Sequence, residues 1–213
     1  MKRILFSLFL ILFLTGCKSS PFEHPEYAPV PSAFQPEETP EKFMFQSRMT
    51  VDFGWYEMAS IVMAAFDGTH ISVAAATPAG VKWMELSGRP GAAEKWYFYP
   101  NPHWPRNPKE AADVLLQDFA NIFLNPSLKA EQTLRDGTLI LSVPEAETRI
   151  YAGNPPRLIK KMLRNSSSDW QSGYFRYIIK NGKPVFPDRI VYDNFRTGYR
   201  LIFRVYSYQD TKQ

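Results

Sequence analysis

The sequence predicts an α+β domain in which an amphipathic helix packs on an antiparallel β-sheet. Three observations lead to this class. From residue 43 onward, apolar and polar residues alternate with a period of two, which is typical of half-buried strands. Turn sequences such as Asp67-Gly68 and Asn181-Gly182 separate these runs, and such turns join antiparallel neighbours. A helical period interrupts the strands over residues 107–124.

The first part of the domain is predicted to be a meander of five strands. They cover residues 43–53, 56–66, 69–76, 81–87 and 95–99. Gly88, Pro90 and Gly91 are expected to end the fourth strand. Because tight turns join consecutive strands, we expect one continuous curved sheet.

The helix has a clear start and a wide apolar stripe. Asn107 is a good N-cap, Pro108 suits the first turn, and Glu110 follows three residues after the cap. The stripe consists of Ala111, Ala112, Leu115, Leu116, Phe119, Ile122 and Phe123. Such a stripe must be buried, so we expect the helix to pack on the sheet. A second, weaker helical stretch is predicted over residues 127–134.

The second part returns to strands and brings the expected total to about ten or eleven. The predicted strands are residues 138–143, 149–151, 158–163, 174–180, 185–192 and 199–208. Residues 165–168 read as an exposed loop. We find no domain boundary after residue 43, so residues 43–213 are expected to form a single domain.

The N-terminal residues 1–16 are predicted to be a lipoprotein signal peptide. Lys2 and Arg3 precede an apolar run of about ten residues, which is too short to span a bilayer. Leu14-Thr15-Gly16-Cys17 resembles the lipobox of bacterial lipoproteins, which implies that Cys17 is acylated and becomes the first residue after cleavage. Cys17 is the only cysteine, so no thiol remains for a disulfide or a metal.

Residues 17–42 are predicted to be the acylated cysteine followed by a Pro-rich tether. Six prolines fall between residues 18 and 42, without any apolar period. In enterobacteria-like lipoprotein sorting, an aspartate directly after the acylated cysteine favours retention in the inner membrane, and this chain has Lys18 at that position. We therefore expect a lipid anchor in the cell outer membrane, with the domain facing the periplasm.

Catalytic and metal-binding patterns are weak. The three histidines are isolated, so we expect neither a metal nor another cofactor. Asp52, His70 and Ser72 fall in neighbouring predicted strands and could approach one another as a catalytic group. Polar residues on the outer face of a strand are the favoured interpretation.

The formal charge of +4 falls to +2 without Lys2 and Arg3, and lysine and arginine are not clustered as nucleic-acid binding requires. The basic run at residues 157–164 is expected to be a solvated face, with contact to an anionic lipid or a partner as the alternative. We expect no enzyme.

The remaining feature is an apolar inner face. A sheet bent around a helix can enclose an apolar cavity, and such a cavity suits an acyl chain, which gains about 0.8 kcal/mol per buried methylene. An ordinary filled core fits the sequence equally well. The residues expected to line a cavity are Phe45, Met49, Met58, Val62, Trp83, Leu115, Phe119 and Phe123.

Several segments resemble the LolA/LolB-like lipoproteins, and in particular the poorly characterised lipoproteins related to LolB. They are residues 45–51 (FQSRMTV), residues 77–81 (TPAGV) leading to Glu85-Leu86-Ser87, the helix start from Pro108, and residues 193–203. The resemblance covers about residues 43–208. It implies an incomplete antiparallel barrel with helices covering its concave face, which binds the acyl chains of a lipid or a lipoprotein.

One hairpin departs from that family. LolB carries a protruding leucine in the hairpin that corresponds to residues 77–80, and this chain has Ala79 there, with Val81 as the nearest larger apolar residue. Pro78, Ala79 and Val81 are therefore the expected membrane or cargo-delivery loop. A specialised lipid or lipid-linked product is an alternative cargo, as in the related lipoproteins found beside aryl-polyene biosynthesis clusters.

The leading hypothesis is a non-catalytic outer-membrane lipoprotein that binds or transfers a lipid, a lipoprotein or a lipid-linked product. Its expected partners are the membrane, the cargo and a periplasmic carrier protein. The alternative is a structural or scaffold lipoprotein with a filled core, which contacts a periplasmic partner through the basic run or the Gly54-Trp55 turn.

Overall fold

The protein is described by a computed structural model over residues 28–36, 42–100, 107–126, 129–143, 147–164 and 169–211. The predicted signal peptide, Cys17, most of the tether and the predicted loop at 165–168 lie outside these ranges. The first six strands are β1 (Phe43–Asp52), β2 (Glu57–Phe66), β3 (Ile71–Ala76), β4 (Lys82–Arg89), β5 (Ala92–Phe98) and β6 (Glu131–Arg135). The others are β7 (Thr138–Ser142), β8 (Thr148–Ala152), β9 (Arg157–Arg164), β10 (Asp169–Lys180), β11 (Lys183–Asn194) and β12 (Tyr199–Asp210). The helix is α1 (Pro108–Phe123).

All twelve strands form one antiparallel sheet with the order β5-β4-β3-β2-β1-β12-β11-β10-β9-β8-β7-β6. The first and last strands pair, with Met49 opposite Phe203, so the two meanders join in the middle of the sheet. The sheet is open and curved, and its edges are β5 and β6. The predicted continuous antiparallel sheet is confirmed, with twelve strands in the described part of the chain instead of ten or eleven.

The additional strand is β6, where a weak helix was predicted. That prediction was wrong. Asp136 and Gly137 both have positive φ, 50° and 73°, as a two-residue hairpin turn requires. The turn pairs Leu134 with Leu139, and backbone hydrogen bonds to β7 take the place of helical ones.

Gly88 was expected to break the chain, and instead it lies inside β4. The register shifts between Ser87 and Gly88 where β4 pairs with β5. A Cβ at Gly88 would lie 2.3 Å from the carbonyl oxygen of Ala92. Glycine is therefore needed for close strand approach at a bulge, and the actual turn comes two residues later.

The helix begins as predicted. The Asn107 side chain accepts a hydrogen bond from the Glu110 amide (3.3 Å), and Pro108 is the first helical residue. Phe119 contacts the Phe203 ring edge-on at 5.7 Å between centroids, and Phe123 packs against Phe45 at 4.4 Å. These contacts fix the C-terminal half of α1 on one face of the sheet. The family resemblance implied several helices, and the described part of the chain contains this one.

Residues 28–36, which we call the N-terminal strap, pack on the sheet. The Val30 amide donates to the Gly137 carbonyl (2.7 Å), and the Gly153 amide donates to the Ala28 carbonyl (3.0 Å). Val30 is buried, and the Phe34 ring lies 5.8 Å from that of Tyr151. This part of the Pro-rich segment is therefore held by the turns that follow β6 and β8.

Among the residues that the structure describes, no helix has both the length and the apolar character needed to cross a bilayer.

Candidate functional site

An apolar cavity of about 520 Å³, which we call cavity I, lies between the N-terminal half of α1 and strands β1, β4 and β12. Its apolar lining consists of Met49, Val51, Phe53, Trp83, Met84, Ala111, Val114, Leu115, Phe119, Tyr199 and Leu201. Asn107, Glu110 and Thr197 complete it, and all three are exposed, so the polar groups lie at its entrance.

Two neighbouring residues of β4 reach the interior because the strand is irregular. The register between β3 and β4 shifts from Ala75–Met84 to Ala76–Lys82, so Trp83 is the extra residue of a bulge. Trp83 and Met84 are both buried, although successive residues of a regular strand face opposite sides. The Trp83 indole N–H donates to Ser60 Oγ (2.8 Å), which satisfies its polar group and orients its ring.

The predicted lining residues fall into three groups. Met49, Trp83, Leu115 and Phe119 line cavity I. Phe45 and Phe123 belong to the ring cluster between the C-terminal half of α1 and the sheet. Val62 is fully buried in the hydrophobic core, and Met58 is half-buried and packs against that core. That these residues hold a ligand stays a prediction.

Large exposed side chains stand at the end of the sheet where cavity I lies. Trp55 in the β1–β2 turn is 70% exposed, Val81 after the β3–β4 turn is 51% exposed, and Phe195 in the β11–β12 turn is 48% exposed. Pro78 and Ala79 are also exposed, and they form the β3–β4 turn. The predicted delivery loop therefore stands at the same end as these two other turns, which carry the larger aromatic side chains.

A buried carboxylate joins α1 to the sheet next to cavity I. Asp118 is 3% exposed and accepts hydrogen bonds from the hydroxyls of Tyr192 (2.5 Å) and Tyr199 and from the Asn194 amide (3.1 Å). Desolvation raises the pKa of Asp118, and the three donors oppose this shift. We call this group the Asp118 latch. Tyr199 belongs to both the latch and the cavity wall.

Sheet side chains also cap the C-terminal end of α1. The Lys161 ammonium donates to the carbonyls of Asn121 (2.6 Å) and Leu124 (2.8 Å), and the Tyr174 hydroxyl donates to the Ile122 carbonyl (2.6 Å). Arg149 donates to the Pro126 carbonyl (2.9 Å). A cation at this end also complements the helix dipole. Burial lowers the pKa of Lys161 to about 8, and the nearby Glu147 carboxylate opposes this shift.

The N-terminal half of α1 is held by more exposed contacts. Asp113 accepts from the Ala93 amide (2.7 Å) and pairs with Lys109, and these two side chains are 30% and 43% exposed. Surface ion pairs contribute little, whereas buried hydrogen bonds to charged groups contribute more. The polar contacts of the part of the helix over cavity I are thus the more exposed ones.

The Asp118 latch and the Lys161 cap were not predicted from the sequence. The spacing of Asp118 could have indicated that it is buried, because it lies three residues after Leu115 and four before Ile122 on the apolar stripe. Lys161 was assigned to a solvated basic face, and that assignment was wrong, since Lys161 is fully buried. Adjacent residues of a strand face opposite sides, so Lys160 and Lys161 cannot share a face.

Asp52, His70 and Ser72 do not come together. Asp52 ends β1 and accepts from the Gly54 amide, whereas His70 precedes β3 and contacts Glu94 (3.3 Å) at the other end of the sheet. Ser72 lies against Ser87. In the described ranges, no three His, Cys, Asp or Glu side chains are grouped as a metal site would need.

The fold and the site together define an open antiparallel sheet with an apolar cavity under one end of a helix. No protein-family model and no curated protein matches the sequence. Among solved structures, the chain is similar to a LolA superfamily protein from Nitrosomonas europaea, with TM-score 0.49, 12% identity and coverage of 81% of this chain and 87% of that one.

Two further solved structures are similar. An outer membrane lipoprotein-sorting protein domain from Vibrio parahaemolyticus has TM-score 0.45 and 7% identity, and covers 80% of this chain and 86% of its own. A DUF1329 family protein from Desulfovibrio piger has TM-score 0.47 and 10% identity, with 82% and 87% coverage. The LolA superfamily, which the sequence resemblance indicated, is thus named among the structural neighbours.

Proposed function

We propose that this protein is a non-catalytic lipid-binding lipoprotein that holds an acyl chain in cavity I. The observation that carries the proposal is the cavity itself: about 520 Å³ with a mainly apolar lining, in which Asn107, Glu110 and Thr197 are the exposed polar residues among those that the structure describes. Ligand cavities typically measure about 300–1,000 Å³ and combine an apolar wall with a few polar groups. Burial of each methylene is worth about 0.8 kcal/mol relative to water, so an apolar cavity can offset the cost of removing an acyl chain from a bilayer or from a carrier.

The entrance residues favour a chain-in, head-out orientation. Asn107, Glu110 and Thr197 are exposed, whereas Met49, Trp83 and Phe119 deeper in the cavity are buried. A polar head group buried among the latter would lose its hydrogen bonds to water. The head group therefore stays outside, near the start of α1.

The exposed aromatic residues near this entrance support contact with a membrane. Trp55 and Phe195 present large rings to solvent, and aromatic rings are favourable at the boundary between head groups and acyl chains. The loop with Pro78, Ala79 and Val81 stands at the same end. A chain would enter or leave from this end when the N-terminal half of α1, whose polar contacts are partly exposed, moves away from the sheet.

Anchoring completes the proposal. Acylation of Cys17 would hold the protein in the outer membrane, with the domain in the periplasm, and the cargo would be a lipid, a lipoprotein or a lipid-linked product received from a carrier. The cavity and the exposed rings support lipid exchange at a membrane surface.

Photocrosslinking in cells tests cavity I. Cells that express the full chain are fed a diazirine-bearing fatty acid, which they incorporate into lipids, and adducts are located by mass spectrometry after irradiation. We expect adducts on the peptides that contain Met49, Trp83 and Leu115. Ala111→Trp fills the cavity from the helix side and should remove most of these adducts. Gln117→Trp, on the exposed side of the same helix, is the matched control and should retain them.

The result that would overturn the proposal is an absence of adducts in cavity I, or equal labelling of the Ala111→Trp and Gln117→Trp variants. Either outcome would favour the scaffold function instead.

A further inference from the structure

A second cavity of about 540 Å³, which we call cavity II, lies at the opposite end of the sheet. The last residues of α1, the β8–β9 turn, the β10–β11 hairpin and Phe34 of the N-terminal strap form its walls. Cavity I is bounded by Thr197 and Tyr199 at the β11–β12 turn, whereas cavity II reaches Lys183 at the other end of β11. The two cavities therefore do not share an entrance.

Aromatic rings form the interior of cavity II. The Tyr174 hydroxyl donates to the Ile122 carbonyl and the Tyr177 hydroxyl to the Leu158 carbonyl, each at 2.6 Å. Phe186 stacks on Tyr208 at 4.2 Å between centroids. Because backbone groups already occupy these tyrosine hydroxyls, the tyrosines offer mainly their rings to the interior, and an apolar ligand group fits there.

Cations dominate the entrance. Lys180 and Lys183 face each other across the β10–β11 turn, and both are exposed. Neither lysine forms an ion pair with the described part of the chain. Arg157 also lines the cavity, and Asp210 is the one acidic residue among the described residues that line it. The lining thus carries more positive than negative charge, and the two exposed lysines place positive charge at the entrance to an apolar interior, a combination that attracts anions.

We infer that cavity II binds an amphiphile with an anionic head group. Its chain or ring system lies among Tyr177, Phe186 and Tyr208, and its carboxylate or phosphate contacts Lys180 and Lys183. A free anion would leave the apolar interior unfilled, and a neutral lipid would gain nothing from the lysines. The site is separate from cavity I, so either proposal can fail while the other stands.

The test uses the full chain in phosphatidylcholine nanodiscs with diazirine-bearing palmitic acid, and its methyl ester as the uncharged probe. We expect the acid to label residues 174–187 about tenfold more efficiently than the ester, because only the carboxylate of the acid can form charge-assisted hydrogen bonds with the two lysines. Lys180→Glu/Lys183→Glu should remove this preference. Lys95→Glu/Arg48→Glu makes the same change in charge at exposed residues that do not line the cavity, and it should keep the preference.

Two further experiments distinguish the contribution of the ligand's apolar part from that of its anionic head group. Val185→Trp should fill cavity II and reduce labelling by both probes, since Val185 lines the cavity and is 40% exposed. Dodecyl phosphate should compete with the acid, and inorganic phosphate at the same concentration should not. Competition by inorganic phosphate, equal labelling by acid and ester, or adducts confined to cavity I would each overturn the inference.

Discussion

Phe119 and Phe123 lie one turn apart on α1 with ring centroids 5.8 Å apart, and each lines a different cavity. Phe203 contacts both rings edge-on, at 5.7 and 5.2 Å, and Phe186 stacks on Phe123 at 6.0 Å. This thin layer of rings separates cavity I from cavity II, so the inner face of the sheet is neither solidly packed nor a single continuous space.

Phe119→Ala should therefore open a path between the cavities. Phe119 is 2% exposed, and truncation of a buried phenylalanine costs about 3–5 kcal/mol. We expect a lower free energy of unfolding in urea and, in the variant that still folds, photoadducts of one lipid probe in both cavities. Tyr206→Ala, at a position 60% exposed, should change stability by less than about 0.5 kcal/mol. A Phe119→Ala variant as stable as the parent would contradict this description of the ring layer.

Asp118→Ala should destabilise the attachment of α1. It leaves the donors on Tyr192, Asn194 and Tyr199 without their acceptor, which costs about 2–5 kcal/mol in total. Tyr192→Phe and Tyr199→Phe each remove one donor and should cost about 1 kcal/mol each. Urea unfolding gives these values. If Asp118→Ala cost no more than either tyrosine variant, the carboxylate would not be the centre of the latch.

Lys161→Met should destabilise the protein in a pH-dependent way. It removes the donors to the Asn121 and Leu124 carbonyls, which costs about 1–3 kcal/mol. Burial lowers the pKa of Lys161 from 10.5 to about 8, so between these values the unfolded chain binds more protons than the folded one. The stability that Lys161 contributes is complete above 10.5 and falls as the pH falls toward 8.

The loss caused by Lys161→Met should consequently grow from pH 8 to pH 10 by up to about 1.4 kcal/mol per pH unit. Urea unfolding at pH 7, 8, 9 and 10 checks this. Lys95→Met, at an exposed position, is the control and should show no such trend. A loss that is constant over this range would mean that Lys161 titrates normally.

Gly137→Ala should release the N-terminal strap. Gly137 has φ of +73°, and a Cβ there would lie 2.8 Å from the Pro29 Cβ, so the substitution meets both backbone strain and a steric clash. Gly182→Ala is a matched control, because Gly182 has φ of +74° and nothing within 4 Å of the added Cβ. We expect faster hydrogen exchange at the Val30 amide in Gly137→Ala only. Both variants should lose about 1 kcal/mol from the left-handed conformation.

Cys17→Ser tests the anchor. If Cys17 is the acylation site, the variant cannot be processed as a lipoprotein, and the protein should remain as a precursor or appear in the soluble fraction. Membrane fractionation and the intact mass of the mature chain give the answer. Normal processing and outer-membrane fractionation of the serine variant would refute the lipobox assignment.

Local patterns in the sequence determined most of the elements. Alternation placed the strands, and Asn107-Pro108 fixed the start of α1, because these signals act within a few residues. The same local signals failed at residues 131–135, where the Asp136-Gly137 turn and pairing with β7 decide the structure. Four of the eight residues predicted to line a cavity border cavity I. The strand period places Met49 on the inner face and the helical period does the same for Leu115 and Phe119, whereas Trp83 reaches the interior at a bulge. Neither period gives the position along the element at which the cavity lies.

The tertiary structure alone decided how the interior is divided. Asp118 and Tyr192 are 74 positions apart, and Lys161 and Asn121 are 40 apart, so only the order of the strands brings these groups together. The sequence by itself determined an apolar inner face and a helix to cover it. Only side-chain packing in three dimensions decided that a layer of phenylalanine rings would leave one cavity on each side, because volume left unfilled depends on contacts between distant elements.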